Sequence, residues 1–105
     1  MPSEQFTCLW EYTIDPARKA EFLSAYKPDG HWAQLMARHP GYLGTKLLLD
    51  VEAENRYVTV DYWTSKSDRD AFREEFSSEF DRLDQDCEQF TISETFLGDF
   101  LILGD

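Results

Sequence analysis

The sequence predicts an α+β fold of the ferredoxin-like type, a four-stranded antiparallel sheet with helices on one face, in the order βαββαβ. Three observations carry this. Apolar residues alternate at period two over residues 5–14, they recur at helical spacing in two later stretches, and a short polar loop joins two further strands as a hairpin. A chain of 105 residues suits one compact domain over residues 1–105, without internal repeats, linkers or low-complexity stretches.

The first strand runs from Gln5 to Ile14, with Phe6, Cys8, Trp10, Tyr12 and Ile14 on one face and Gln5, Thr7, Leu9, Glu11 and Thr13 on the other. Asp15-Pro16 then opens a helix, because Asp is a favoured N-cap and proline lacks only an N–H that the first turn leaves unbonded. Ala20, Phe22, Leu23 and Tyr26 form its apolar side. Pro28-Asp29-Gly30 interrupts it. Trp32, Leu35, Met36 and His39 follow at i, i+3, i+4 and i+7, so a second helical piece packs on the same core. Pro40-Gly41 makes a turn. The second strand runs from Tyr42 to Asp50 and the third from Arg56 to Trp63, with Val51 to Asn55 as the hairpin loop.

Ser67 and Asp70 have capping-box spacing at the start of the clearest helix, whose core stripe is Phe72, Phe76, Phe80, Leu83 and Cys87. The last strand begins near Gln89 and passes through Ile92, Glu94 and Phe96, with Gly98 allowing a bend before the apolar tail Phe100 to Leu103. The third strand is partly apolar on both sides, Val58, Val60 and Tyr62 alternating with Tyr57, Thr59, Asp61 and Trp63. A water-facing sheet would be polar there. A second copy of the sheet is the natural cover, which predicts a homodimer packed face to face.

Charge narrows the partners. With 21 Asp or Glu against 10 Lys or Arg the net charge is −11, whereas a nucleic-acid partner calls for clustered basic residues and an anionic lipid surface would repel this chain. Nine acids and four basic residues fall between Lys66 and Glu88, so much of the charge belongs to the solvated side of one helix. Eight Phe, five Tyr and three Trp are too many for a disordered chain. No stretch approaches about 18 apolar residues, so no membrane span is expected. MPSEQF lacks the basic and apolar regions of a secretory signal, and a cytoplasmic location is the expectation. Cys8 and Cys87, without CxxC spacing and on apolar positions, read as small core residues. His31 and His39 have no metal-site spacing, and no phosphate loop or Ser-His-Asp pattern is present.

Several segments together resemble one family. They are the first strand ending in a DP helix start, YKPDGHW from Tyr26 to Trp32, HPGYLGTKLLLD from His39 to Asp50, RYVTVDYWTSKSDRDAF from Arg56 to Phe72, and LDQDCEQFTISETFLGDF from Leu83 to Phe100. Over almost its whole length the chain resembles the antibiotic biosynthesis monooxygenase domains, which form dimeric α+β barrels. The resemblance implies a pocket between helices and sheet into which Trp63 projects. In characterised relatives, flat polycyclic phenols or quinols are oxidised there by dioxygen without flavin, haem or metal, since the deprotonated substrate itself donates electrons. A haem-degrading branch uses an Asn on the first strand, the strand-three Trp and a His on the second long helix. Trp10 stands near the Asn position and residues 67–87 contain no His, so this chain departs from that triad.

The candidate catalytic residues are Asp61, Trp63 and His31. Asp61 and Trp63, two apart on a strand, share a face. Asp61 is then either a carboxylate among aromatics with its pKa raised towards a working base, or the maker of an ordinary cross-strand hydrogen bond. His31 beside the Pro-Gly break is either an acid or base or a solvated loop residue. Trp10, Tyr26, Trp32, Phe72 and Phe76 are candidate substrate contacts, against the alternative that they are plain core. Glu94, if inward, needs a partner, for which Arg56 or Lys46 is the first choice. The expectation is a cofactor-free monooxygenase-like domain acting on a small aromatic phenol or quinol, with Trp63 orienting the ring and Asp61 or His31 handling the proton. The alternatives are a non-catalytic dimeric domain holding a small apolar ligand, and a haem-handling enzyme with other ligands.

Overall fold

The computed structural model describes residues 5–103; the first four residues of MPSEQF lie outside them. The strands are β1 (Gln5–Ile14), β2 (Tyr42–Leu49), β3 (Arg56–Trp63) and β4 (Thr91–Ile102). The helices are α1 (Lys19–Tyr26), α2 (His31–Met36), α3 (Lys66–Glu75) and α4 (Ser77–Cys87). The sheet is antiparallel in the order β2-β3-β1-β4, as the ferredoxin-like plan requires, and the helices cover one face.

That face carries the core. Phe6, Cys8, Tyr12 and Ile14 of β1 and Tyr57, Thr59 and Trp63 of β3 are all buried, as alternation along each strand demands. Phe22, Ala25 and Tyr26 of α1 pack on Tyr12, Ile14 and Tyr57, whereas Leu35 and Met36 of α2 and Phe72 of α3 pack on Phe6, Cys8 and Trp63. Ala20 faces solvent instead of the core, because Pro16–Arg18 form a separate single turn capped by Asp15 before α1 begins.

The second long helix differs from expectation at two points. Its cap is Ser65, whose hydroxyl accepts from the Asp68 N–H, two residues before the Ser67 expected from sequence. Ser65 and Asp68 have the same spacing as Ser67 and Asp70, so sequence alone does not choose between them. The helix also bends at Phe76 (φ −109°, ψ 28°), directly before the weak helix formers Ser77 and Ser78.

Two β-bulges reset the alternation. The pairing of β2 with β3 shifts between Tyr42 and Gly44, so Tyr42 opposes Trp63 and Thr45 opposes Asp61. Residues three apart thereby share the helix side. The pairing of β1 with β4 shifts in the same way, so Phe96 opposes Trp10 and Asp99 opposes Cys8. Gly44 and Gly98 each have φ +140°, a conformation that L side chains rarely adopt. The opposite face of the sheet presents Leu9, Val58, Val60 and Tyr62, half-buried, with Leu48, Phe100 and Ile102 exposed.

Candidate active site

Between the sheet and the helices lies a cavity of about 300 Å³. Its floor is the helix side of β1 and β3, with Cys8, Trp10, Tyr12, Thr59, Asp61 and Trp63; β2 adds Thr45 and β4 adds Glu94. Tyr26, Trp32, Ala33 and Met36 close one side, and Arg69, Phe72, Arg73, Phe80 and Asp84 the other. The walls are mainly aromatic, with a few polar groups that converge on the space, the usual make-up of a small-molecule site.

Asp61 is the central polar group. Thr45 donates to its Oδ1 at 2.7 Å, and the Thr45 hydroxyl also meets the Tyr42 hydroxyl at 2.5 Å. Burial raises the Asp61 pKa to about 6, against smaller opposing effects of the Thr45 hydrogen bond and the Arg73 charge. Trp63 is 1% exposed and packs edge-to-face with Tyr42 and tilted against Phe72, so it is a fixed part of the cavity wall rather than a mobile lid.

Two arginines four residues apart on α3 both reach the cavity and behave differently. Arg69 is saturated: it makes two hydrogen bonds of 3.0 Å to Asp99, one of 2.8 Å to Asp70 and one of 2.8 Å to the Cys8 Sγ, and lies over the Phe6 ring. Arg73 has no ion-pair partner among the described residues and lies over Phe80, its centroid 5.5 Å away. Burial pushes the Cys8 thiol up to about 12, so it stands there as a neutral group. Trp32 Nε1 is buried without a hydrogen-bond partner among the described residues.

Of the residues singled out from sequence, Asp61, Trp63, Trp10, Tyr26, Trp32 and Phe72 converge on the cavity, while His31 and Phe76 do not. His31 is the first residue of α2 and lies in a shallow outer groove with Gln34, Arg38 and Glu79; its neighbour Trp32 is the one that turns inward. Phe76 sits at the helix bend, packed on Phe72 and covered by the Arg38 guanidinium. Glu94 does face the cavity, but Arg56 and Lys46 lie on the opposite side of the sheet: Arg56 pairs with Glu11 and Asp50, and Lys46 lies over Tyr62. Burial, with the neighbouring Asp84 and Glu88, raises the Glu94 pKa instead. Sequence reasoning missed Arg69 and Arg73. Their signal was a pair of arginines at i, i+4 flanking the Phe72–Phe76–Phe80 stripe, hidden by treating every charge on that helix as solvated. No three His, Cys, Asp or Glu side chains among the described residues are grouped to hold a metal ion.

A family model described as antibiotic biosynthesis monooxygenase matches residues 5–80, from β1 into α4. The chain belongs to the antibiotic biosynthesis monooxygenase family. Solved structures of similar shape agree with this membership. SnoaB, a cofactor-independent oxygenase from Streptomyces nogalater, is 25% identical, with 95% of this chain and 92% of that chain covered and a TM-score of 0.69. Proteins described as antibiotic biosynthesis monooxygenases from Bordetella bronchiseptica (21% identity, 95% and 98% covered, TM-score 0.71) and Nitrosomonas europaea (12%, 95% and 89%, TM-score 0.71) share the fold. No curated protein matches the chain. In this member of the antibiotic biosynthesis monooxygenase family, Trp63 and Asp61 of β3 line one cavity. No helix among the described residues is long and apolar enough to cross a membrane.

Proposed function

We propose that this protein is a cofactor-independent oxygenase that oxidises a small, flat aromatic carrying an acidic hydroxyl or methylene, of the anthrone or quinol type. The observation that carries the proposal is Asp61: a carboxylate with a raised pKa, in an aromatic-walled cavity, within reach of the field of an arginine that lacks a carboxylate partner among the described residues. Asp61 accepts the substrate proton, and Arg73 stabilises the anion left behind. Trp10, Trp32 and Trp63 hold the ring plane and keep water from the anion.

The electrons come from the substrate. For an anthrone, the deprotonated ring passes electrons to dioxygen; one oxygen atom remains as the new carbonyl of the quinone and the other leaves as water, together with the two hydrogens of the original methylene. Similarity to the SnoaB fold supports this chemistry, as does the family description.

A homodimer through the apolar sheet face is part of the same proposal. Leu48, Phe100 and Ile102 are exposed beside half-buried Val58, Val60 and Tyr62, a patch that association would remove from water.

The test is oxygen uptake over a panel of anthrones and dihydroquinones, with wild type compared with Asp61→Asn and Trp63→Phe. Turnover by wild type that falls at least about a hundredfold in Asp61→Asn is expected for loss of a general base. Absence of turnover with retained binding would instead favour a ligand-binding domain.

A further inference from the structure

The hydrogen bonds around Asp61 do not stop at Thr45. A threonine hydroxyl has one proton, so Thr45, donating to Asp61 Oδ1, receives the Tyr42 hydroxyl as an acceptor. Tyr42, Thr45 and Asp61 therefore form a directed chain with both donors pointing towards the carboxylate. The bulge at Leu43 and Gly44 makes this possible: in an unbroken strand, residues 42 and 45 point to opposite faces. Tyr42 lies half-buried on β2, the edge strand, outside the cavity lining.

We infer that Tyr42 and Thr45 are positioning residues that hold the Asp61 carboxylate and connect it to solvent, so that Asp61 discharges its proton away from the cavity. The inference rests on the oxygenase proposal for its catalytic meaning. A base that has taken a proton inside an aromatic-walled cavity filled by its substrate must lose it before the next turnover, and water entering the cavity would meet the substrate anion. The chain provides another way out. With the hydroxyls turned outward, the Asp61 proton passes to Thr45, the Thr45 proton to Tyr42, and the Tyr42 proton to water; this leaves Asp61 as the carboxylate with both hydroxyls pointing inward, as observed, and they rotate outward again before the next discharge.

Other titratable or charged groups are arranged around Asp61 without forming such a route. Cys8 and Tyr12 of β1 stand beside it as neutral groups with raised pKa values. Arg73 of α3 acts on it through its charge, Arg69 is held by Asp99 and Asp70, and Glu94 of β4 and Asp84 of α4 line the same cavity without a hydrogen bond to it. Thr45 is its only hydrogen-bond partner among the described residues.

The Asp61 titration is followed by carbon-13 NMR of labelled aspartate carboxyls in wild type, Thr45→Val, Thr45→Ser and Tyr42→Phe. The Thr45→Val change removes a hydrogen bond to the charged form, so the midpoint rises by about one pH unit. Thr45→Ser restores the wild-type midpoint, and Tyr42→Phe gives a smaller rise. With the anthrone dithranol as probe, kcat falls about tenfold or more in Thr45→Val and Tyr42→Phe while KM in Tyr42→Phe stays unchanged, and the acid limb of the pH profile moves with the NMR midpoint. An Asp61 midpoint indifferent to Thr45→Val overturns the inference, as does full turnover in Tyr42→Phe. The titration needs no turnover, so an inactive wild type counts against the oxygenase proposal while the midpoints still decide whether the chain governs Asp61.

Discussion

Arg69 grips Asp99 through two hydrogen bonds of 3.0 Å, tying α3 to the edge strand β4. The Arg69 side chain is 6% exposed, so removing its partner leaves a buried cation short of its counter-charge. Asp99→Ala should cost about 3 kcal/mol in urea unfolding, and the loss should be largest near neutral pH. Arg69 holds the Asp99 pKa below its ordinary value of 3.8. The pair therefore contributes fully above 3.8, and that contribution is lost as pH falls below it. Wild type and variant should converge in stability in acid.

Asp61 has the opposite sign. With an ordinary value of 3.8 and a folded value of about 6, the folded chain holds a proton in that window that the unfolded chain has released. Stability therefore falls as pH rises from about 4 to 6, by up to about 3 kcal/mol. The Asp61→Asn variant, which still accepts from Thr45, should be more stable than wild type at pH 8 and flat across that window. Thermal unfolding at a series of pH values measures both, and an Asn variant that tracks wild type would remove the assignment of Asp61 as a raised carboxylate.

Trp63 and Trp10 both line the cavity but should answer differently to truncation. Trp63 is enclosed by Tyr42 and Phe72, and Trp63→Ala should cost about 3–5 kcal/mol of stability. Trp10 is half-buried, its ring tilted against the exposed Phe96 at 5.0 Å. Trp10→Ala should cost less stability and weaken binding of an anthraquinone by up to about tenfold, read by equilibrium titration.

Val60 lies at the centre of the uncovered sheet face. Light scattering should give twice the 12.3 kDa chain mass for wild type and 12.3 kDa for Val60→Asp, since a carboxylate between two copies of this largely apolar face is costly to desolvate even with Lys46 opposite it. A wild-type species of 12.3 kDa at micromolar concentration would rule out the dimer.

The sequence by itself determined the elements that alternation and capping specify. The face shared by Phe6, Cys8, Tyr12, Tyr57 and Trp63 follows from period two, and Asp61 joins them because it is two residues from Trp63. Only the tertiary structure decided which other groups meet Asp61. Period-two counting from Tyr42 puts Thr45 on the wrong side of the sheet, and counting from Glu94 and Phe96 does the same to Asp99. The bulges at Gly44 and Gly98 reverse both, bringing Thr45 to Asp61 and Asp99 to Arg69. A bulge depends on how two strands register against each other, a non-local fit that no window of one strand contains. The arginines divide for the same reason: on α3 alone, Arg69 and Arg73 are equivalent charges one turn apart. The arrival of Asp99 from the last strand makes one a structural clamp and leaves the other without an ion-pair partner among the described residues.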